Sequence, residues 1–467
     1  MSIDSHLSLA SSYQQEGRLD LAESHFRQAT GIEPGHWDAC FGLAQVLIRR
    51  DRFEEAIGLL AQLLARPGDH AAVHRQLGLA EACTGRRQRA LSHFKRALEH
   101  EPDDAATLHI VANFQQALGL DDEADASYRR ALKLKPLITI PASVAPPAFR
   151  VLFVFGPNAG NTPIEYLIER ARFETNIITL LPDVEYDIDR LRIYADVVVN
   201  LISDVDRGHA FLAPAQALVD GVGSPVINPP QLIAGTGRDA VAKRLAQLPG
   251  CCVPQTRLYS AADLAAVVKG TSQESLTFPV LVRPAGAHGG DNFEKFEDPA
   301  QLEAFVNRLN ASSYYLTSFV DYRSNDGYFR KYRFVCVGDE ILPYHLAIDD
   351  KWKVHHVTTS MATHAWMQNE EQAFLEDPWR VFGATQRVAL QSIRDAIGLD
   401  YFGIDCGLAR DGAIVVFEVN ASMLVHGNNQ RFPYKTKAVE RIKQAFQALL
   451  ERRARPPGKA SVQEYGT

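Results

Sequence analysis

Small and large apolar residues recur along the first third of the chain at a constant interval of 34 positions. The small residue is Ala22, Ala56, Ala90 and Ala124 in turn, and a large apolar residue follows each four positions later, as Phe26, Leu60, Phe94 and Tyr128. A proline lies near the end of every unit, at Pro34, Pro67, Pro102 and Pro136. A spacing of four places both apolar residues on one helical face, and proline stops a helix. The pattern therefore predicts four repeated units, each built from packed helices.

These units resemble the tetratricopeptide repeat. The resemblance predicts an all-α domain over residues 1–138, in which four repeats stack because no single unit can bury its apolar face alone. It implies a curved surface that binds a peptide or a partner protein. A role as a dimerisation or packing element remains open, and the ligand of such a surface cannot be read from the sequence.

The hydrophobic period changes after residue 138. Residues 139–148 belong to a proline-rich, almost uncharged stretch that predicts a stiff linker. Short buried strands are then expected within Arg150–Pro157, Tyr194–Ile202 and Ser224–Pro230, with a helix at Ile164–Arg172. Strands that alternate with helices predict a small parallel α/β domain over residues 149–232.

The segment Tyr401–Ser422 predicts a β-hairpin, since two β-rich runs flank Asp411-Gly412, a dipeptide that favours a two-residue type I′ turn. With that turn, Asp405 lies directly opposite Glu418, and Asn420 follows on the same face. Like charges directly opposite in a sheet are destabilising, so we expect one carboxyl pKa to rise or a cation to be bound. Oxygen ligands of this kind suit Mg²⁺. A solvated polar face is the alternative interpretation.

The Asp…Glu-x-Asn pattern of Asp405, Glu418 and Asn420 resembles the metal triad of ATP-grasp ligases such as D-alanine–D-alanine ligase and glutathione synthetase. The resemblance covers about residues 149–450. It implies an α/β domain followed by an α+β ATP-grasp domain at residues 233–453, with ATP and Mg²⁺ as cofactors. Residues 454–467 are expected to form a disordered tail.

Further segments match the nucleotide side of that family. The resemblance implies that Arg283 contacts phosphate and adenine in place of the usual Lys, and that His288, Gly289 and Gly290 belong to a loop that covers the phosphates. It also implies adenine contacts from the backbone of Ser318 and Val320 and a ribose contact from Asp321. The usual first nucleotide-binding Lys is absent, and Lys243 or Arg238 would have to substitute for it.

A second hairpin, turning at Gly338-Asp339, carries the candidate catalytic residues. Lys331 and Arg333 share one face of its first strand, where cations can neutralise charge on a transferred phosphoryl group. The resemblance implies that Arg333 steadies this group, and His345 across the hairpin is a candidate contact for an acyl phosphate. A charged edge strand and a structural histidine are the alternatives. Trp352, His355 and His356 have no generic counterpart and are candidate substrate contacts.

Composition narrows the possible functions only slightly. The formal net charge of −7 includes no polybasic tract, which argues against nucleic-acid or membrane-surface partners. The first residues lack the features of a signal peptide, no run reaches 18 apolar residues, and the six cysteines form no CxxC pair, so we expect a cytoplasmic protein with idle thiols.

Taken together, the sequence predicts an ATP- and Mg²⁺-dependent ligase. It would activate a carboxylate as an acyl phosphate and couple it to an amine, releasing ADP, while the repeats recruit a peptide or protein substrate. The alternatives are an ATP-grasp phosphotransferase acting on a hydroxyl and a non-catalytic repeat scaffold that carries a vestigial ATP-grasp fold.

Overall fold

The computed structural model describes residues 1–158, 160–271, 276–287, 292–306, 308, 311–354, 359–427 and 429–454. The chain divides into two compact units, Met1–Ile138 and Thr139–Thr467. Each unit has its own hydrophobic core.

Residues 1–138 are described throughout and form eight helices in four hairpins. They are α1 (Ile3–Glu16), α2 (Leu19–Ile32), α3 (Trp37–Arg49), α4 (Phe53–Leu63), α5 (His70–Cys83), α6 (Arg87–His100), α7 (Ala105–Ala117) and α8 (Asp121–Leu134). Every second helix ends shortly before one of the predicted prolines, because a proline cannot continue the backbone hydrogen-bond ladder.

The repeated small and large residues pack as the spacing predicts. Ala22, Ala56, Ala90 and Ala124 are at most 1% exposed, and the large residues four positions later are at most 3% exposed. Gly42 and Gly78 show why small residues are needed here, since a Cβ at these positions would lie 2.4 Å from Phe26 and 2.8 Å from Phe94. Burial of each large side chain stabilises the fold by about 1.5–3 kcal/mol.

Two histidine pairs join the helices of the first and third repeats. Nδ1 of His6 lies 3.0 Å from Nδ1 of His25, and Nδ1 of His74 lies 3.1 Å from Nδ1 of His93, two repeats further along the chain. In each pair one nitrogen must donate and the other must accept. When both rings of a pair are protonated, neither Nδ1 can accept, so the hydrogen bond is lost and two cations lie side by side.

The described residues of the second unit form three sheets. Its strands are β1 (Leu137–Ile140, which crosses the boundary), β2 (Arg150–Phe155), β3 (Glu174–Thr179), β4 (Val197–Asn200), β5 (Val226–Ile227), β6 (Cys251–Cys252), β7 (Thr256–Ser260), β8 (Val280–Pro284), β9 (Glu294–Phe296), β10 (Ser313–Ser318), β11 (Phe329–Val337), β12 (Glu340–Asp349), β13 (Tyr401–Leu408) and β14 (Ile414–Asn420). Its helices are α9 (Ile188–Arg192), α10 (Val205–Val222), α11 (Pro230–Ile233), α12 (Arg238–Leu245), α13 (Ala261–Val268), α14 (Pro299–Val306), α15 (Ala365–Glu376), α16 (Ala384–Ile397) and α17 (Thr436–Ala454).

The first sheet has the order β1-β3-β2-β4-β5, and strands β3, β2, β4 and β5 pair in parallel. The predicted strands at its centre are present, but the helix predicted at Ile164–Arg172 is wrong, because residues 165–170 form turns. Arg170 has a positive φ of 55°, which a helix does not allow. The apolar residues of this segment still reach the core, where Leu167 is fully buried.

The other two sheets flank the cleft described below. A four-stranded antiparallel sheet has the order β7-β10-β8-β9, and a five-stranded mixed sheet has the order β12-β11-β13-β14-β6. One core cluster joins the first sheet, the mixed sheet and α17 through Phe153, Val335 and Phe446, each at most 1% exposed. The predicted order of architectures, helical repeats followed by an α/β part and an α+β part, is present in the structure.

In the part of the chain that the structure describes, we find no helix with the length and apolar character that crossing a membrane requires.

The histidines of the repeats should make this unit sensitive to acid. Burial lowers the pKa of His109 to about 4, and burial together with His93 lowers the pKa of His74 to about 4. These values lie below the unfolded value of about 6.5, so the stabilisation is complete above pH 6.5 and is lost as the pH falls towards 4. His109 alone accounts for about 2 kcal/mol of lost stability at pH 5.

Urea unfolding of residues 1–138, followed by circular dichroism at several pH values, measures this loss. The double substitution His74→Gln and His109→Gln should flatten the pH dependence. A wild-type free energy of unfolding that stays constant between pH 7 and pH 4.5 would contradict the prediction.

Candidate active site

The turn of the acidic hairpin differs from the predicted one. The Ala409 amide donates to the Ala413 carbonyl over 2.9 Å, so Arg410, Asp411 and Gly412 form a three-residue loop. Gly412 takes the left-handed conformation, with φ of 83°. A three-residue loop ending in such a glycine is the next commonest hairpin connection after the two-residue turn. The predicted type I′ turn is therefore wrong, and the strands leave the loop one residue out of the expected register.

A β-bulge at Phe417 restores the predicted pairing beyond the loop. Near the loop Leu408 pairs with Ile414 and Cys406 with Val416, whereas further on Asp405 pairs with Glu418. Phe417 is the additional residue, and its ring lies 4.5 Å from the Tyr322 ring. Gly407 leaves room for both rings, because a Cβ there would lie within 2.9 Å of each. The carboxylates face each other only because of this bulge.

Asp405 is held by two cations from β11. It is 4% exposed and lies opposite Arg333, whose Nη2 donates to Oδ2 over 2.7 Å while its Nε donates to Oδ1. The Lys331 ammonium lies 3.4 Å from the same Oδ2. The structure thus brings Lys331 and Arg333 together with the acidic pair, on the shared strand face that alternation predicts.

Glu418 has a cation of its own, which the sequence reasoning had named only as a possible substitute for a lysine. Nη2 of Arg238, the first residue of α12, lies 2.5 Å from Oε1 of Glu418. Asn420 is close to the pair along β14, and its side-chain oxygen accepts from the Ser422 amide over 2.8 Å. Among the described residues no three His, Cys, Asp or Glu side chains converge as a metal site, so the candidate oxygen donors are two carboxylates and one amide.

The basic side chains beside the two carboxylates outweigh the repulsion between them, which would raise a carboxyl pKa. Burial opposes ionisation of Asp405, but Arg333 and Lys331 hold its pKa below its usual range. Burial and Asp405 likewise oppose ionisation of Glu418, yet Arg238 and Arg283 keep its pKa low. The expected rise in one carboxyl pKa is therefore wrong, because guanidinium and ammonium groups of the chain already balance both charges.

Arg283 lies on β8, close enough for its charge to act on Glu418. It is 8% exposed, its Nη2 donates to the Ala287 carbonyl, and its Nε has no hydrogen-bond partner among the described residues. Burial and the neighbouring Arg238 lower its pKa to about 10, which still leaves it charged at neutral pH. His288, Gly289 and Gly290 lie outside the described residues.

The other residues that were predicted to contact the nucleotide do not form one cluster. Ser318 ends β10, and its amide already donates to the Gln255 carbonyl over 2.9 Å, while Val320 is half-buried beyond it. Asp321 is exposed and accepts from the Arg323 amide over 3.0 Å. Lys243 is exposed on α12 and does not line the cleft, whereas Arg238 on the same helix does.

His345 lies directly opposite Arg333 in the β11–β12 pair, but its Nδ1 faces Glu371 of α15. Glu371 is fully buried and also accepts from Tyr434 over 2.6 Å and Lys435 over 2.9 Å. Burial lowers the pKa of His345 to about 4, so the ring is neutral at pH 7. The sequence reasoning missed this cluster, because Glu371, Tyr434 and Lys435 belong to no local motif.

Trp352, a candidate substrate contact, lies among aromatic residues beside Arg283. Its ring is 5.5 Å from Phe293 and 6.0 Å from Phe319, both edge-on, and its carbonyl accepts from Tyr322 over 3.0 Å. The Arg283 guanidinium lies 5.4 Å from the centre of the Phe293 ring, so Phe293 contacts both Arg283 and Trp352. His355 and His356 lie outside the described residues.

The first residues of α10 form hydrogen bonds with Gly286, just after the end of β8. Asp206 accepts from the Gly286 amide over 2.9 Å, and Arg207 donates to the Gly286 carbonyl from Nη2 over 2.9 Å and from Nε over 3.2 Å. Asp206 also accepts from Tyr315 over 2.8 Å. Together with β14, these segments enclose an open cleft, lined by residues that include Asp204, Asp206, Arg238, Ala287, Glu418 and Asn420.

The hydrogen bond to Asp206 should protect the Gly286 amide from hydrogen exchange. The Asp206→Ala substitution removes its acceptor, so we expect the peptide that spans residues 284–287 to exchange at least tenfold faster, as measured by mass spectrometry. Asp220→Ala, at the other end of α10, is the matched control. Equal exchange in the wild type and in Asp206→Ala would show that the contact contributes nothing in solution.

Comparisons of sequence identify the repeats. Residues 13–79 match one family model described as tetratricopeptide repeat, and residues 105–136 match another with the same description. The first unit therefore contains tetratricopeptide repeats. No curated protein sequence matches the chain at a significant level.

Solved structures resemble each part of the chain separately. The VanG D-Ala:D-Ser ligase of Enterococcus faecalis covers 64% of this chain and 99% of its own, with 14% identity and a TM-score of 0.41. The D-alanine–D-alanine ligase of Bacillus anthracis, complexed with ATP, covers the same shares with 13% identity and a TM-score of 0.36. MamA of Desulfovibrio magneticus covers 29% of this chain and 76% of its own, with 15% identity and a TM-score of 0.28. Likenesses at this level assign no substrate and no activity to the chain.

Proposed function

We propose that the second unit binds ATP with Mg²⁺ and uses it to activate a carboxylate, which then reacts with an amine to form an amide. The observation that carries this proposal is the row of charged residues across three strands, Arg333, Asp405 and Glu418. Glu418 lines an open cleft, and Asp405 and Arg333 follow it on the two neighbouring strands. Such a site suits the transfer of a phosphoryl group, in which charge develops on oxygen atoms.

The residues at the cleft fit both groups. Asp405, Glu418 and Asn420 would supply the oxygen ligands that Mg²⁺ prefers, and the bound ion would neutralise phosphate charge. Arg283 offers a buried guanidinium whose Nε lacks a partner among the described residues, as expected for a group that receives an anion. Arg238 supplies a further cation in the lining of the cleft.

Each candidate catalytic side chain then has a separate task. Lys331 and Arg333, fixed by Asp405, would balance charge as the γ-phosphate passes to the carboxylate. His345 is neutral and lies opposite Arg333, so it can contact the activated group without adding charge. We further propose that the tetratricopeptide repeats recruit a peptide or protein that carries the carboxylate or the amine.

Isothermal titration calorimetry with ATP and MgCl₂ tests this proposal first. The wild type should bind ATP in a Mg²⁺-dependent manner, and Glu418→Gln should weaken binding about tenfold or more, because one charged metal ligand is lost. Glu303→Gln, on the exposed face of α14, removes the same charge elsewhere and should leave the affinity unchanged. No binding by the intact wild type would reject the proposal and favour a scaffold.

The nature of the acceptor is tested by trapping. Hydroxylamine converts an acyl phosphate into a stable hydroxamate, so a ligase supplied with ATP, Mg²⁺ and its carboxylate substrate should release ADP and hydroxamate together. Release of ADP with a phosphoester, and without hydroxamate, would instead assign the chain to the phosphotransferases.

A further inference from the structure

We propose that Arg238 acts as an internal cation on Glu418 and admits a divalent metal ion to the acidic pair only together with a nucleotide. This inference rests on the proposed function and adds a rule for the order in which the site is filled. Arg238 then determines the form in which the metal binds. The site accepts the metal–nucleotide complex and excludes the free metal ion.

The contact itself is close and sheltered. Nη2 of Arg238 lies 2.5 Å from Oε1 of Glu418, and the two side chains are 21% and 23% exposed. A charge-assisted hydrogen bond in a partly dehydrated setting is stronger than a surface ion pair. Glu418 therefore has a favourable partner before any ligand arrives.

The guanidinium is also held in place by its position in the fold. Arg238 is the first residue of α12, and the preceding Gly237 is its N-cap. A Cβ at Gly237 would lie 3.1 Å from Asp239 and 3.7 Å from the Tyr315 hydroxyl, so the backbone here is closely surrounded. The side chain reaches β14 from a fixed start and lies at the edge of the cleft, where a ligand can contact it.

A free metal ion would meet unfavourable competition at this site. Both oxygens of Asp405 already accept from Arg333, and Lys331 lies 3.4 Å from one of them. A dication near Glu418 would either displace Arg238 or lie beside its charge, where like charges a few ångströms apart repel each other.

A nucleotide changes this balance because it brings its own negative charge. Phosphate oxygens are favourable bidentate partners for a guanidinium, so Arg238 can turn from Glu418 to phosphate without losing an ion pair. The carboxylate of Glu418 is then released for the metal ion that accompanies the phosphates. Arg283 on β8 provides a second guanidinium for the same anion.

The experiment measures metal binding without nucleotide. Electron paramagnetic resonance of free Mn²⁺, titrated with the full chain, gives its affinity for the wild type and for Arg238→Gln. We expect the wild type to bind free Mn²⁺ at least tenfold more weakly than Arg238→Gln does. Arg244→Gln removes one charge from the exposed part of the same helix and should behave as the wild type.

Two further variants identify the site and guard against loss of folding. Adding Glu418→Gln to Arg238→Gln should abolish the gained Mn²⁺ binding, and Arg238→Lys, which keeps the charge, should keep free Mn²⁺ excluded. Circular dichroism establishes that each variant is folded. If Arg238→Gln binds Mn²⁺ no more tightly than the wild type, or if the gain survives Glu418→Gln, the inference is overturned.

The result is separable from that of the proposed function. Tight Mn²⁺ binding by Arg238→Gln in a chain that never binds ATP would support the exclusion of free metal by Arg238, but would reject the role of the nucleotide and the ligase. Conversely, Mg²⁺-dependent ATP binding with unchanged Mn²⁺ affinity in Arg238→Gln would support the ligase and reject the exclusion of free metal by Arg238.

Discussion

The charged row of the second unit depends on the ion pair between Asp405 and Arg333. A carboxylate that is 4% exposed on a central strand loses most of its hydration and needs a fixed cation to remain charged. Arg333 supplies that cation from the neighbouring strand through two parallel hydrogen bonds. Removing one partner from such a pair typically costs about 3–5 kcal/mol, so the strands β11 and β13 are tied to each other at this row.

The rest of the site follows from this row. Glu418 reaches Asp405 only because the bulge at Phe417 corrects the register, and the bulge is in turn accommodated by Gly407 and the Tyr322 ring. Arg238 then balances Glu418 from a helix of a different layer. Each charged side chain of the site thus lies beside an opposite charge that holds it in position, and these ion pairs are neighbours in one network.

Sequence reasoning was most reliable where the information is local and repeated. A period of 34 residues, held through four units, predicted the helical repeats because each position has the same neighbours in every unit. The pairing of Asp405 with Glu418 was also predicted, but from a turn that does not occur. The real loop shifts the register by one residue and the bulge shifts it back, so two departures cancel. No sequence rule for turns contains the bulge, since it depends on Tyr322 and Gly407 packing around Phe417.

The sequence by itself determined the helical repeats, the acidic pattern and the basic residues of one strand face, because alternation along a strand and spacing along a helix are set by backbone geometry. Tertiary structure alone decided which groups compensate those charges. Arg238 is 180 residues before Glu418 and Glu371 is 26 residues after His345, and no local pattern brings such partners together. It also decided that the segment 165–170 turns instead of forming a helix, since burial of Leu167 and the contacts of its neighbours outweigh the helical spacing.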